Sequence, residues 1–165
     1  MEFRLEKLKR RDLRFILPIE AAAFPEPWSA TVFNSELALR EGRLYRGAWD
    51  GDRMVGYIGF MIVDDEAHIT TIATSADYRR QGVATALLMD GIATLLPAGI
   101  KHLTLEVAAG NEAAQSLYRR FGFAPVGVRK GYYQVSGEDA LIMWAYDIDT
   151  PEYAERLRGL RPSED

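Results

Sequence analysis

The sequence contains no cysteine and only two histidines among its 165 residues. Without cysteine there are no disulfides, no thiolate metal sites and no thiol nucleophile, a composition compatible with a reducing compartment. The histidines, His68 and His102, lie on separate strand-like segments without clustered carboxylates, so ordinary structural roles and no metal site are expected. Basic residues are not in excess. Twenty Lys and Arg stand against 24 Asp and Glu, for a formal charge of −4. That balance offers no global attraction for nucleic acid, and an anionic ligand would have to be held locally. Long apolar runs are also missing. The run Val55 to Val63 has nine residues including two glycines, far short of the ~20 that cross a bilayer as a helix. The charged stretch from Met1 to Arg11 does not have the form of a secretory signal. The expectation is a cytoplasmic protein with no membrane partner.

What is present is an ordinary globular composition, 48% hydrophobic and 27% charged. No repeat or linker interrupts it, which predicts one domain over residues 1–150 and a charged tail over 151–165. Phe3, Leu5 and Leu8 begin a short strand, and Asp12 is placed to cap a helix whose apolar positions run from Leu13 to Phe24 across Pro18. The loop Phe24-Pro25-Glu26-Pro27-Trp28-Ser29 follows, with Ser29 capping a second helix through Arg40. Strand periodicity then covers Leu44–Trp49, Met54–Val63 and Ala67–Thr74, with turns at Asp50-Gly51-Asp52 and Asp64-Asp65. A helix over Gly82–Leu96, a strand over Lys101–Val107 and a helix capped by Asn111 and ended by Gly122 come next. Strands near Ala124–Lys130 and Ala140–Ile148 close the domain. In the tail, Leu157 and Leu160 are the clear apolar anchors, for either a docked helix or a frayed end. The whole reads as an α/β (α+β) fold, a mixed and mostly antiparallel sheet of about six or seven strands flanked by about four helices.

The segment Asp77-Tyr78-Arg79-Arg80-Gln81-Gly82-Val83-Ala84-Thr85 lies between a strand and a helix. The first amides of a helix lack intrahelical acceptors and carry the positive end of its dipole, so a loop entering there can wrap a phosphate. Gly82 lets backbone come close, Ala84 is small, and Arg79 and Arg80 add local positive charge. The same residues also read as a solvated helix start with a turn glycine. Downstream, the alternation of Leu103-Thr104-Leu105-Glu106-Val107 puts Glu106 off the most apolar face, where it is either functional or a solvated carboxylate. Asn111 reads equally as a helix cap, and Tyr118 as a core aromatic.

Taken in order along the chain, Arg79-x-x-Gly82-x-Ala84 resembles the acyl-coenzyme A pyrophosphate signature of the GNAT acetyltransferases. Leu-Glu-Val at 105–107, Asn111 and Leu117-Tyr118-x-x-Phe121-Gly122-Phe123 resemble the distal half of their active site. More narrowly, the Pro-Trp loop at 24–29 and Arg129-Lys130-Gly131-Tyr132-Tyr133 with Asp139-Ala140-Leu141-Ile142-Met143 resemble the RimI-like protein N-terminal acetyltransferases. The resemblance implies the GNAT fold and acetyl-CoA as cosubstrate. It implies that Ile72, Ala73 and Thr74 contact the pantetheine and thioester, that Arg80, Gln81, Gly82, Val83, Ala84 and Thr85 hold the pyrophosphate, and that Asn111 touches the coenzyme. By the same resemblance Glu106 is the proton acceptor and Tyr118 the proton donor, while Pro27, Trp28, Tyr132 and Tyr133 line the peptide side. Ala84 replaces a second glycine often found in the loop, Thr74 stands where an aliphatic residue is common, and the tail has no counterpart.

Acetyl transfer to an amine needs a neutral nucleophile, a cradle for the developing oxyanion and a proton for the departing thiolate. An α-amino group titrates near ~7.7–8.0 and a lysine near ~10.4, so a single carboxylate suits the first better. Backbone N–H groups near Ala73 or Thr74 are the candidate oxyanion donors. With no cysteine, direct attack in a ternary complex is expected. The leading expectation is acetylation of a protein N-terminus, with a small-subunit ribosomal protein as the substrate the resemblance implies. A GNAT enzyme for a small amine and a non-catalytic acyl-CoA sensor are the alternatives; oligomeric state stays open.

Overall fold

The computed structural model describes residues 2–160. In chain order the elements are β1 (Arg4–Lys7), α1 (Leu13–Ala23), α2 (Ala30–Ala38), β2 (Arg43–Asp50), β3 (Arg53–Val63), β4 (Glu66–Thr74), α3 (Val83–Leu95), β5 (His102–Ala108), α4 (Glu112–Arg120), β6 (Ala124–Arg129), β7 (Ala140–Ala145) and α5 (Pro151–Arg158). The strands form a seven-stranded sheet in the order β1-β2-β3-β4-β5-β7-β6. The β1–β2, β2–β3, β5–β7 and β6–β7 pairs are antiparallel, and β4–β5 is parallel over Glu66–His68 against His102–Thr104. This is the mixed, mostly antiparallel α/β architecture expected. No helix among the described residues is long and apolar enough to cross a membrane.

The chain folds as two compact units: residues up to Val63 together with Ile69–Thr94, and Asp64–His68 together with the chain from Leu95 onward. In the first unit the apolar stripe of α1 buries Ile16 and Ile19 in a cluster with Phe33, Tyr45, Trp49, Tyr57 and Ala73. Phe33 meets Tyr57 edge-on at 6.1 Å between ring centroids, a preferred aromatic geometry. Helix α3 packs so closely on β3 that a Cβ at Gly56 would lie 2.8 Å from both the Ala73 carbonyl oxygen and Val83. Only glycine fits that crossing. A half-buried ion pair, Arg46 to Asp90 at 2.7 and 3.0 Å, ties β2 to α3.

In the second unit the alternation of β5 is realised as expected: Leu103, Leu105 and Val107 are buried, while Thr104 and Glu106 are half-buried on the other face. Helix α4 buries Gln115 and Tyr118 on one side, and the chain leaves it through Gly122 at φ +86°.

Local expectations hold at Ser29 and Asn111, whose side chains accept from the Val32 and Ala114 N–H groups at 3.2 and 3.1 Å. Three expectations need correction. Asp12 does not cap α1; its carboxylate turns back to accept from Lys9 N–H at 2.8 Å and closes the tight turn before the helix. Helix α2 stops at Ala38 rather than Arg40, because Leu39 is extended (φ −71°, ψ 127°) and leads the chain to the left-handed Gly42. In the tail, for which a helix was one of the two expected outcomes, α5 forms as a fifth α-helix among the described residues, but its buried anchor is Tyr153 rather than Leu157 or Leu160. The signals were Thr150, which caps by accepting from Tyr153 N–H, and Pro151 in the first turn. Residues 161–165 of the expected tail lie outside the described residues.

The Tyr153 hydroxyl donates to the Phe121 carbonyl oxygen at 2.6 Å in a buried setting. Tyr153→Phe leaves that carbonyl without its donor and is expected to destabilise the protein by about 1–3 kcal/mol, read as a lower urea midpoint with an unchanged slope.

Candidate active site

The phosphate-loop candidates belong to the first unit. After β4 the chain makes a tight turn at Ala76–Tyr78, and α3 begins at Val83. Between them Arg80 takes φ +63° and Gly82 φ +83°. Left-handed residues in such a stretch turn successive N–H groups toward one side, which makes an anion-binding concavity. The strain at Arg80, which has a Cβ, is the unusual part. A Cβ at Gly82 would have nothing within 4 Å, so the space in front of the turn is open. Arg79, Arg80, Gln81 and Gly82 are exposed, Val83 is buried, and Ala84 and Thr85 are half-buried. The Gly82 carbonyl already accepts from Ala86 N–H at 2.9 Å, while the amides before Ala86 are the helix-start donors with no partner in their own helix. Gln81 is oriented by its own bond to the Asp77 carbonyl at 3.2 Å.

Upstream in β4, Ile72 and Thr74 are half-buried on one face and Ala73 is buried on the other, in the α1 cluster. Any approach to a ligand at Ala73 therefore uses its backbone. Thr74 and Arg79 also line a cavity of about 440 Å³ with Pro18, Ala22, Met54 and Ser75 among its walls.

The Pro-Trp loop is anchored from beneath by a residue whose role sequence reasoning missed. Glu20 on α1 is 2% exposed. Its carboxylate accepts from the Trp28 N–H at 2.9 Å, from the Thr71 hydroxyl at 3.4 Å and from the Tyr57 hydroxyl. Burial, reinforced by the Glu20 carboxylate, pushes the Tyr57 phenol well above its ordinary value, so Tyr57 stays a donor. The signal was a glutamate on the apolar stripe of α1. Trp28 packs on Phe33 at 5.2 Å between centroids, and Pro27 is exposed beside it.

The proton-transfer candidates belong to the second unit. The Glu106 side chain is 12% exposed, with Oε2 at 2.5 Å from His68 Nε2 and Oε1 at 3.9 Å from Arg129 Nη2. The His68 bond, which outweighs the cost of burial, holds the Glu106 carboxyl below the usual carboxylate value, with Arg129 adding to it. Sequence reading gave His68 an ordinary structural role. The parallel register brings His68 opposite Thr104, two residues from Glu106, on the half-buried face of both strands.

Tyr118 is 7% exposed and meets Phe123 edge-on at 5.8 Å between centroids. Burial, with the neighbouring Tyr133, raises its phenol well above the ordinary value, so it carries its proton throughout the neutral range. Tyr132 and Tyr133 contact each other edge-on at 5.1 Å, and Arg129 lies over the Tyr132 ring. Burial lifts both phenols, Tyr133 to about 12, with Glu106 contributing to each. Their segment is closed by Tyr133 N–H donating to the Glu138 carbonyl and Gly131 N–H to the Asp139 carboxylate. Asn111 spends its side-chain oxygen on the cap of α4, which leaves its amide N–H₂ as the group with donors to offer.

The site candidates thus fall into three groups: Arg80 to Thr85 at the start of α3, the Trp28 loop on Glu20, and Glu106 with Tyr118, Tyr132 and Tyr133. Among the described residues no group of three or more His, Asp or Glu side chains is placed to hold a metal ion.

Because its folded value is depressed, ionised Glu106 contributes stability that is present above the ordinary carboxyl value near 4.5 and is lost as pH falls through the lower folded value. Glu106→Gln is therefore expected to be less stable than wild type near pH 6, with the gap in melting temperature closing below pH 4. A gap that is constant across that interval contradicts the assignment.

The acetyltransferase (GNAT) family model matches residues 13–123. The [ribosomal protein bS18]-alanine N-acetyltransferase of Escherichia coli K12 is 36% identical over 143 residues, covering 84% of this chain and 94% of the relative. The N-alpha-acetyltransferase RimI of Mycobacterium tuberculosis is 36% identical over 142 residues, covering 82% and 87%. The crystal structure of the ribosomal-protein-S18-alanine N-acetyltransferase from Escherichia coli superposes with a TM-score of 0.82 at 35% identity, over 88% of this chain and 94% of that one. With the family model matched across most of the chain and relatives this similar along nearly their whole length, the protein belongs to the GNAT family of acetyltransferases.

Proposed function

We propose that the protein transfers the acetyl group of acetyl-CoA to the α-amino group of a protein N-terminus, with an alanine-initiated ribosomal protein as the substrate class, in the cytoplasm. The observation that carries this reading is Glu106: a carboxylate shielded from water, held ionised by His68, with Arg129 near its other oxygen. The relatives named for bS18-alanine acetylation supply the substrate class.

The residues present fit the coenzyme. The left-handed turn at Arg80 and Gly82, with open space before it, suits a pyrophosphate held by the N–H groups from Gln81 to Thr85. Within the first unit, Ile72 and Thr74 offer side chains, and Ala73 its backbone, to the pantetheine arm and the thioester oxygen; in the second unit, Asn111 has amide donors to offer a coenzyme. In the first unit Pro27 and Trp28, and in the second unit Tyr132 and Tyr133, are the residues assigned to contact with a peptide. Bound there, the coenzyme supplies an acetyl group activated as a thioester.

Glu106 takes the proton from the α-ammonium, whose ordinary value of ~7.7–8.0 lies within reach of a positioned carboxylate. The amine nitrogen forms the new C–N bond and the C–S bond breaks; Tyr118, kept protonated by burial, gives its proton to the departing sulfur and is restored by the second proton that the nitrogen sheds on becoming an amide. An ε-ammonium near ~10.4 demands more of the same base.

Steady-state assays with acetyl-CoA test this on short peptides with free N-termini and on a panel of small amines. Wild type is expected to turn over alanine-initiated peptides. Glu106→Gln is expected to lose roughly 10²–10⁴-fold in kcat, and Gly82→Ala to raise KM for acetyl-CoA with little change in KM for peptide. Fast small-amine turnover with inert peptides overturns the substrate class. A Glu106→Gln variant as fast as wild type overturns the base.

A further inference from the structure

In the second unit, the strand face that carries Glu106 continues into a group of aromatic rings that the proposed chemistry does not use. Glu106 pairs in register with Ile142, and Thr104 with Trp144, so the alternation of β5 and β7 puts these four side chains on one face. Just beyond, His102 meets the Tyr146 ring edge-on at 5.6 Å, and Tyr146 stacks on Trp144 at 5.5 Å with the ring planes 6° apart. Tyr146 is 57% exposed, while Trp144 and His102 are half-buried. His102 Nδ1 accepts from the Asp147 N–H at 3.1 Å, which holds the chain after Tyr146 in its left-handed turn. The rings are thus fixed in place rather than loosely exposed.

Acidic residues surround the outer end of this group. Asp64, Asp65 and Glu66 form the turn into β4, and the Asp65 carbonyl accepts from the Lys101 and His102 N–H groups at 2.7 and 3.2 Å. Asp147 and Asp149 follow Tyr146, and the Ile148 N–H between them donates to the Lys101 carbonyl at 2.9 Å. None of these carboxylates is ion-paired among the described residues, and Lys101 is the basic residue that stands among them.

We propose that this face is a docking surface for the substrate polypeptide downstream of its acetylated residue, and that it takes a segment rich in arginine and lysine. The inference rests on the proposed acetylation of a protein N-terminus. Aromatic faces attract cations, and a guanidinium group stacks flat on them. Unpaired carboxylates around the rings supply the complementary charge. A protein that binds RNA neutralises phosphates with Lys and Arg, often on a basic terminal arm, so a ribosomal substrate carries the matching chemistry. The same carboxylates repel a nucleic acid. Geometry sets the register of the segment. His102 stands four residues before Glu106 on the same strand face, about 13 Å away at ~3.3 Å per residue. An extended substrate with its α-amino group at Glu106 covers that distance in about four residues. Its fifth and following side chains therefore reach Trp144 and Tyr146.

The test uses alanine-initiated peptides in steady-state assays with acetyl-CoA. One is a tetrapeptide; two longer peptides share those residues and carry either arginine or glutamate from the fifth position to the eighth. Wild type is expected to show a KM for the arginine peptide about tenfold below that for the glutamate peptide, at equal kcat and with a smaller gap in high salt. Tyr146→Ala is expected to cut the gap to about threefold, with tetrapeptide kinetics unchanged. Glu66→Gln combined with Asp147→Asn is expected to narrow it too, and serves alone should Tyr146→Ala fail to fold, because asparagine tolerates the φ of 56° at that turn. Equal KM values for the two long peptides, or a gap that neither variant changes, overturn the docking surface. If the tetrapeptide is turned over at the same time, the acetylation reading stands; if no alanine-initiated peptide reacts, that reading falls and this one with it. Dimerisation in sedimentation velocity that Tyr146→Ala abolishes, alongside equal KM values, assigns the face to a second copy of the chain instead.

Discussion

A carboxylate kept largely out of water stays ionised only if other groups take over the work of solvation. In this chain those groups are His68 and Arg129, and the proposed chemistry depends on them. Strand β5 puts Glu106 on its half-buried face, the short parallel ladder to β4 sets His68 opposite Thr104 and so within reach of it, and β6 brings Arg129 toward the other oxygen. The same shielding acts in the opposite sense on Tyr118: burial disfavours the phenolate and keeps the hydroxyl a donor. One unit of the fold thus offers an ionised acceptor and a protonated donor in the neutral range, which is the pairing an acyl transfer to an amine requires.

The first unit contributes through backbone rather than charge. At Arg80 and Gly82 the chain adopts left-handed conformations that aim amides outward, and Gly82 leaves room in front of them. Gly56 has a different purpose: it allows α3 to approach β3 so closely that any side chain there would strike Val83 at the start of the helix. The start of α3, where the phosphate-loop amides lie, is held at its position by that contact and by the Arg46–Asp90 pair. Glu20 has a comparable role for the Trp28 loop. A buried carboxylate that accepts from a backbone N–H and two hydroxyls restrains the loop more than its prolines alone would.

Features that depend on local sequence were legible. Ser29 and Asn111 cap the helices they precede, the alternation from Leu103 to Val107 gives the two faces of β5, and the turn residues mark the strands of the mixed sheet. What escaped was set by distant partners. His68 and Glu106 are 38 residues apart, and only the parallel register of β4 and β5 makes them neighbours. Asp12 looked like a cap because its residue type favours one, but Lys9 N–H was the donor its carboxylate reached. The apolar residues Leu157 and Leu160 do not by themselves decide between a helix and a frayed end, because α5 is fastened by an aromatic hydroxyl, Tyr153 on the Phe121 carbonyl. Glu20 stood in plain sight on an apolar stripe, yet its partners Trp28, Tyr57 and Thr71 come from three separate segments.

The claim that this site works on an amine of modest basicity is tested most directly by asking which nitrogen receives the acetyl group. A peptide with a free alanine N-terminus and an internal lysine, incubated with the enzyme and acetyl-CoA, is fragmented in a mass spectrometer. The account predicts a single acetyl group on the α-nitrogen and an unmodified lysine. Acetylation at the lysine ε-nitrogen, with the N-terminus left free, would contradict it.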